Sequence, residues 1–299
     1  MTDEGLAPKP VIPILLGQQS SPLTKLMKPF AEDDSRSPPP QSVMDRLVRR
    51  YARPAYVIVV LSLYLLVSTA VGLALAPAIW CWQLAASWSE SFPFLTRGLV
   101  LGLATAMCFF LFGFGLLLVV PIYNFVLPTR VRPFKGGYYT MRAAPWLLHN
   151  ALFYLVRFTF LPFVTLTPFG IWFLKAMRMT IGRHAFINTE YISDPQLISI
   201  GEDATIGGSV RIFAHYGGGG YLVVAPVVIG DRATIGVAAT VMGDVEVGRG
   251  ATVLPHSVLL PGSRVGESET WGGVPARLIT REELELFKQE IRGVQRVEG

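Results

Sequence analysis

The stretch Ile229-Gly-Asp-Arg-Ala-Thr, Ile235-Gly-Val-Ala-Ala-Thr, Val241-Met-Gly-Asp-Val-Glu, Val247-Gly-Arg-Gly-Ala-Thr, Val253-Leu-Pro-His-Ser-Val, Leu259-Leu-Pro-Gly-Ser-Arg, Val265-Gly-Glu-Ser-Glu-Thr, ending at Trp271, decides the fold. Each unit opens on a bulky apolar residue, so a hydrophobic ladder climbs in steps of six. The same step links Ile181 to Ile187, and Ile200 to Ile206 and Ile212. A helix repeats near 3.6 residues and a half-buried strand at two. A step of six suits a coil that turns a corner at every unit, with the aliphatic residue pointing inward. Gly230 and Gly236 follow the aliphatic, where the chain must bend closely. Ala233, Ala239, Ala251, Ser257 and Ser263 come four positions after it and fill the inside corner. Three units close one triangular coil. A single coil cannot bury its own face, so stacked neighbours make the core.

Two gaps break the ladder. One of 13 residues, Ile187 to Ile200, surrounds Ser193-Asp194-Pro195. One of 17 residues, Ile212 to Ile229, surrounds Tyr216-Gly-Gly-Gly-Gly-Tyr221. A loop is expected to leave the prism at each, and such loops tend to carry function. After the prism, Thr280-Arg-Glu-Glu283 is a capping box. It opens an amphipathic helix, Glu282 to Ile291, with Leu284, Phe287 and Ile291 on the face that packs back.

The first half of the chain reads differently. Of 299 residues, 51% are hydrophobic and only 16% charged. Soluble domains carry about 25% charged residues, so part of this chain is expected in lipid. Residues 1–44, rich in Pro, Ser and acidic residues, read as a disordered tail with no cleavable signal peptide. A membrane domain is expected over 45–178. Two uncharged runs, Tyr56 to Ser89 and Gly98 to Thr129, exceed the roughly 20 residues a bilayer needs, giving spans at about 56–81 and 98–127. Arg46, Arg49, Arg50 and Arg53 precede them, and Arg130, Arg132, Lys135 and Arg142 follow. The connection holds only Glu90 and Arg97. The positive-inside rule puts both basic flanks and the prism in the cytoplasm.

The third apolar stretch, 145–177, carries Arg157, Pro162 and Pro168. A straight span would put Arg157 mid-bilayer, costing about 2.5–3.5 kcal/mol. A broken re-entrant or hairpin segment is expected instead. His149, at its start, is expected at the membrane interface. Cys81 and Cys108 form no CxxC pair and read as two buried, inert thiols. The net charge of +5 is not gathered into a nucleic-acid stripe, so nucleic-acid binding is not expected.

The ladder over residues 179–279 resembles the hexapeptide-repeat family, which implies a left-handed parallel β-helix and homotrimers. The fold class is thus helices, read as transmembrane, followed by that β-solenoid and a C-terminal segment, 280–299. Ile212-Phe-Ala-His215, then Pro226-Val-Val-Ile-Gly-Asp231, then Gly273-Val-Pro-Ala-Arg277 looks like the acyltransferase branch of the family. That resemblance implies His215 as catalytic base. Imidazole titrates near neutrality and can take a proton from an attacking hydroxyl or amine. A bare surface histidine is the alternative. Gly217, Gly218 and Tyr221 would line a flap over the acceptor, or belong to a plain disordered loop. The glycine run lacks phosphate-loop spacing. Trp271, Gly273 and Arg277 would hold a pantetheine arm, or Trp271 would simply cap the core. One branch of the family holds zinc with three histidines. Here His184, His215 and His256 form no near pair, and His184 and His256 are expected to point outward, so no metal is expected.

Phe134-Lys-Gly-Gly-Tyr-Tyr, Met179-Thr-Ile-Gly-Arg-His and Thr189-Glu-Tyr-Ile-Ser-Asp-Pro-Gln-Leu-Ile-Ser-Ile-Gly201 are similar to the C-terminal membrane region of poly-amino-acid synthetases, which resemble nonribosomal peptide synthetases. The chain departs from them in having no adenylation or carrier domain. The resemblances imply a membrane acyltransferase in specialised metabolism, with no tightly bound cofactor. Acyl-CoA or a phosphopantetheine carrier would supply a thioester, the carrier or synthetase acting in trans. A sugar O-acetyltransferase of polysaccharide synthesis and a non-catalytic trimeric membrane scaffold are the alternatives.

Overall fold

The computed structural model describes residues 43–137, 140–218, 221–286 and 289. The expected tail, 1–44, falls almost wholly outside them, as do Phe287 and Ile291 of the C-terminal amphipathic face.

Helix α1 (Val43–Arg50) leads into two long helices, α2 (Ala52–Trp88) and α3 (Phe94–Val126). Both are long and apolar enough to cross a membrane. At 1.5 Å per residue each exceeds the roughly 30 Å hydrocarbon core. They pack through small residues: Ala70, Ala74 and Ala78, four apart, are buried on α2. A Cβ added at Gly115 would lie 3.0 Å from the Ala74 carbonyl oxygen, so a larger residue there would push the backbones apart. The outer faces stay apolar, with Leu61, Leu65, Leu99 and Leu103 exposed. Cys81 is exposed and Cys108 half-buried, so neither is a core thiol as the sequence suggests. Cys108 Sγ donates to the Ala78 carbonyl across the helix pair.

The third apolar stretch breaks into α4 (Ala144–Thr159), α5 (Leu161–Val164) and α6 (Pro168–Ala176). Pro162 and Pro168 each lie at the start of a helix, where a missing N–H costs nothing. Arg157 does not face outward. It is 7% exposed and points at the solenoid. His149 is fully buried rather than interfacial.

From residue 180 the chain winds into a parallel solenoid of five coils with three sheets. One sheet holds β2 (Thr180–Ile181), β5 (Ile198–Ile200), β10 (Val227–Ile229), β13 (Val245–Val247) and β16 (Arg264–Val265). The second holds β3 (Phe186–Ile187), β6 (Thr205–Ile206), β11 (Thr234–Ile235), β14 (Thr252–Val253), β17 (Thr270–Gly272) and, antiparallel, β18 (Arg277–Leu278). The third holds β4 (Ile192–Ser193), β7 (Arg211–Phe213), β12 (Thr240–Val241) and β15 (Val258–Leu259). Register follows the ladder: Ile229 pairs with Ile200 and Val247, Ile235 with Ile206 and Val253, Val241 with Ile212 and Leu259. All nine are at most 2% exposed. Full burial of each such side chain stabilises by about 1.5–3 kcal/mol. Ala233, Ala239, Ala251 and Ser257 fill the inside corners with no exposure.

The structure corrects three expectations about the repeat. The bend is not at the glycine after the aliphatic. Positive φ falls two residues later, at Arg232, Ala238, Asp244, Gly250, His256, Gly262 and Ser268, every sixth position. Gly236 serves close approach instead: a Cβ there would stand 2.5 Å from Pro255 N in the next coil. The first ladder gap is not a loop leaving the prism. Ile192, fully buried, is the missing rung and pairs with Ile212. The chain then makes a lengthened corner, Asp194 and a 3-10 turn over Pro195–Leu197. The second gap is not a disordered loop over its described residues. It forms an antiparallel hairpin, β8 (His215–Gly218) with β9 (Tyr221–Val224). Strand β1 (Phe134–Gly137), which precedes α4, adds to β9. Val131, Ala143, Leu222 and Val224 make a small second core under this sheet.

The capping box is formed: Glu283 N–H donates to Thr280 Oγ1 and Thr280 N–H to Glu283 Oε2. Residues 281–286 are helical.

Substituting Gly236→Val should destabilise the solenoid by about 1–3 kcal/mol or more, because backbone rather than a movable side chain blocks the new atoms. Gly208→Ala, whose Cβ would meet nothing nearer than Asn188 Nδ2 at 3.5 Å, should be near neutral. Denaturant melts of the full chain in detergent compare the two.

Candidate active site

Register creates the site. Ser193 pairs with Phe213 on adjacent coils, and parallel strands lie about 4.8 Å apart. Asp194 follows Ser193 directly and His215 follows Phe213 after Ala214, so both leave the same corner of the prism. His215 Nδ1 lies 2.5 Å from Asp194 Oδ2. The Asp194 side chain is fully buried and the His215 side chain 23% exposed. Asp194 sits in the left-handed region, φ 60°, which turns its carboxylate towards the hairpin. A carboxylate only accepts, so the neutral ring carries its proton on Nδ1 and presents the lone pair of Nε2.

Helix α4 completes the arrangement. Trp146, Asn150, Tyr154 and Arg157 follow one another at four, four and three residues, so they share one face. Asn150 Nδ2 donates to Asp194 Oδ1 at 2.9 Å. The Trp146 ring meets the His215 ring edge-on, centroids 5.2 Å apart. Tyr154 Oη is 2.9 Å from Ser193 Oγ, and Arg157 Nη1 donates to the same oxygen at 3.1 Å. The Arg157 guanidinium also lies over Tyr154, Phe158, Tyr191 and Phe213. Trp146 Nε1 and Arg157 Nε are buried without a hydrogen-bond partner among the described residues.

A second buried network backs the first. His149 Nδ1 contacts Asn124 Oδ1 at 2.9 Å and Gln196 Nε2 at 3.0 Å. Gln196 Nε2 also donates to the Thr129 carbonyl, and Val131 N–H donates to Gln196 Oε1. Burial lowers the His149 pKa to about 4, so the ring is neutral at physiological pH. Beside His215, burial and then the charge of Asp244 push the Tyr216 phenol above its ordinary value.

The expected site residues divide into two groups. Gly217, Gly218 and Tyr221 lie on the same hairpin as His215, with Gly218 opposite Tyr221. Lys135 Nζ stands over the Tyr221 ring, 5.1 Å from its centroid. Trp271, Gly273 and Arg277 are on the fifth coil, whereas β7, which leads to His215, is on the second. Three strand spacings put them about 14 Å further along the axis. Trp271 Nε1 donates to Glu269 Oε2, Gly273 N–H donates to Ser257 Oγ, and Arg277 forms a two-pronged pair with Glu283. His184 and His256 are exposed, as expected. Among the described residues no group of side chains could hold a metal ion. Sequence reasoning missed Asp194, Asn150, Trp146 and Arg157 as site residues. The signal was present: polar and aromatic residues at helical spacing inside an apolar stretch, and a ladder gap containing an aspartate.

No family model matches this chain. It is 23% identical over 169 residues to a delta-poly-L-ornithine synthetase of Acinetobacter baumannii, a match covering 56% of this chain and 12% of that protein. It is 32% identical over 121 residues to YvoF of Bacillus subtilis, which carries a provisional acetyltransferase name. That match covers 36% of this chain and 64% of the other. The chain thus spans less than two thirds of the length of either relative. Among solved structures it is similar to a hexapeptide-repeat-containing acetyltransferase of Vibrio cholerae complexed with acetyl-coenzyme A. There the identity is 28%, the coverage 33% of this chain and 58% of that one, and the TM-score 0.31. With its step-of-six ladder and its five-coil solenoid, the chain resembles the hexapeptide-repeat acetyltransferases.

Proposed function

We propose that this protein is a membrane-held acyltransferase that moves an acyl or aminoacyl group from a thioester to a hydroxyl or amine. The observation that carries the reading is the contact between His215 and the buried Asp194. His215 Nε2 takes the acceptor's proton as the acceptor attacks the thioester carbonyl. The new C–O or C–N bond forms, and a tetrahedral oxyanion results. Its collapse breaks the C–S bond, and the departing thiolate takes the proton back from the imidazolium. Asp194 holds the tautomer and stabilises the imidazolium while it lasts. The buried Trp146 Nε1 is a donor available to a substrate oxygen.

The acetyltransferase name of YvoF supports an acyl donor of the coenzyme A type. The likeness to the poly-ornithine synthetase supports an aminoacyl donor on a phosphopantetheine carrier in trans. That match, at 169 residues, is longer than the whole stretch from residue 179 to the C-terminus. It therefore takes in residues that precede the solenoid. On this reading α2 and α3 span the bilayer, α4 to α6 lie at its cytoplasmic face, and the solenoid is cytoplasmic. Gly217, Gly218 and Tyr221 border the acceptor, while Trp271, Gly273 and Arg277 border the donor arm. The last three reach a shared site if prisms associate as a homotrimer.

Replacing His215→Ala should lower kcat by about 10²–10⁴-fold with little change in KM, the usual contribution of a positioned base. The assay uses the full chain in detergent with acetyl-CoA and cell extract as acceptor source, following thiol release and acylated product. An unchanged rate would leave the scaffold reading in its place. Asp194→Asn should cost a comparable factor, since an amide no longer stabilises the imidazolium. Asn150→Ala, which touches no reacting group, should cost about tenfold or less.

Sidedness has its own check. In a Cys81→Ser/Cys108→Ser background, Ser91→Cys should react with an impermeant maleimide in intact cells. Ser199→Cys should react only after permeabilisation. The reverse pattern would place the solenoid outside.

A further inference from the structure

Just beyond the ends of α3 and α6, Arg130, Val131, Arg132, Arg178 and Gln196 line a cavity of about 570 Å³. A neighbouring hollow of about 400 Å³ shares Arg130 and Arg132 and adds Arg142. All four arginines are exposed, and no carboxylate pairs with any of them among the described residues. On the solenoid, by contrast, Arg183, Arg249, Arg264 and Arg277 each face an acidic partner, and Arg211 lies over the Tyr191 ring. Three unpaired guanidinium groups around the larger hollow, Arg130, Arg132 and Arg178, attract an anion, and the planar fork suits the paired oxygens of a phosphate. The rim is held in place: Gln196 accepts from Val131 N–H and donates to the Thr129 carbonyl.

The cavity does not stand alone. Phe114, Leu117 and Leu118 of α3 face Pro168, Phe169 and Trp172 of α6 across an apolar groove of about 440 Å³. Leu118, Phe169 and Trp172 remain 56%, 52% and 47% exposed. Leu118 precedes the end of α3 by eight residues, about 12 Å of helix. Groove and arginine cavity therefore follow one helix pair, separated by less than half the thickness of a bilayer core. A free phosphate would use the cavity and ignore the groove. An amphiphile uses both.

We infer that this face binds an anionic membrane lipid, its phosphate in the Arg130–Arg132–Arg178 cavity and its hydrocarbon in the groove between α3 and α6. The inference rests on the proposal that α2 and α3 span the bilayer. The phosphate then lies where a cytoplasmic leaflet places its headgroups. It also sits against Gln196, two residues from Asp194, so the bound lipid buttresses the turn that carries the orienting carboxylate.

The test uses the full chain in a neutral detergent, with thermal melts recorded on adding phosphatidylglycerol, phosphatidylcholine or inorganic pyrophosphate. Phosphatidylglycerol should raise the melting temperature by several degrees, and phosphatidylcholine should raise it little. Arg130→Gln/Arg132→Gln/Arg178→Gln should weaken the phosphatidylglycerol response by about tenfold or more in half-saturating concentration. A charge-matched control, Arg183→Gln/Arg232→Gln/Arg249→Gln on the solenoid, should keep it. Trp172→Ala should weaken it with every arginine in place. Equal responses to both lipids, an equal loss in the control, or full stabilisation by pyrophosphate alone would overturn the proposal. If the triple variant melts low without lipid, Arg132→Gln alone and the phosphatidylglycerol carried by the wild-type chain in native mass spectrometry decide instead. Release of the chain from membranes by alkaline carbonate would remove the spanning reading, and the detergent titration would still read lipid selectivity.

Discussion

Everything in this structure depends on the stacking of one coil on the next. Ladder residues eighteen apart in sequence meet across about 4.8 Å, as Ile229 meets Val247 and Ile235 meets Val253. Each coil hands its backbone N–H and C=O groups to its neighbours, so inside the prism no residue can be added without orphaning some of them. Extra residues are tolerated only at corners. The chain uses that freedom twice on adjacent coils at one edge, and there it places an aspartate and a histidine. Where glycine follows the aliphatic, as at Gly230, Gly236 and Gly248, it keeps the coils close, while the left-handed residue two positions later turns the chain.

The helices help to build the candidate site. One face of α4 supplies Asn150 to the Asp194 carboxylate, Trp146 to the His215 ring and Arg157 to Ser193. A buried charge is costly unless it is paired and hydrogen-bonded. Asp194 meets that demand with one partner from the solenoid and one from the helix, so the carboxylate is fully bonded only when the two parts are docked. Arg157 is accommodated through aromatic faces and a hydroxyl, which explains how an arginine persists in so apolar a segment. Strand β1 ties the same parts together a second time, by completing a sheet with the hairpin that begins at His215.

Much of the fold was legible because short-range periodicity encodes it. The step of six needs only the identities of Ile, Val and Leu at regular positions, and the stacked registers come from three units per coil. The apolar runs of α2 and α3 are legible for a similar reason: length and lack of charge suffice. Ile192 escaped because it falls five residues after Ile187 rather than six, and the corner after it is lengthened. The hairpin escaped because its partner strand, β1, lies nearly ninety residues upstream, and no local pattern announces such a pairing.

His215 could be singled out from sequence because a histidine before a ladder break, followed by Pro226-Val-Val-Ile-Gly-Asp231, has a recognisable order. Its partner could not. Asp194 is 21 residues away along the chain, Asn150 is 44 further from Asp194, and their approach depends on the register between β4 and β7 and on the docking of α4. The sequence by itself determined the solenoid, its coil length, the apolar helices and the position of the candidate base, since each is written in spacing along the chain. Tertiary structure alone decided the orienting carboxylate, the burial of Arg157 and the gathering of four arginines beside an apolar groove. Those are distances between segments, and they are set only when coils stack and helices dock.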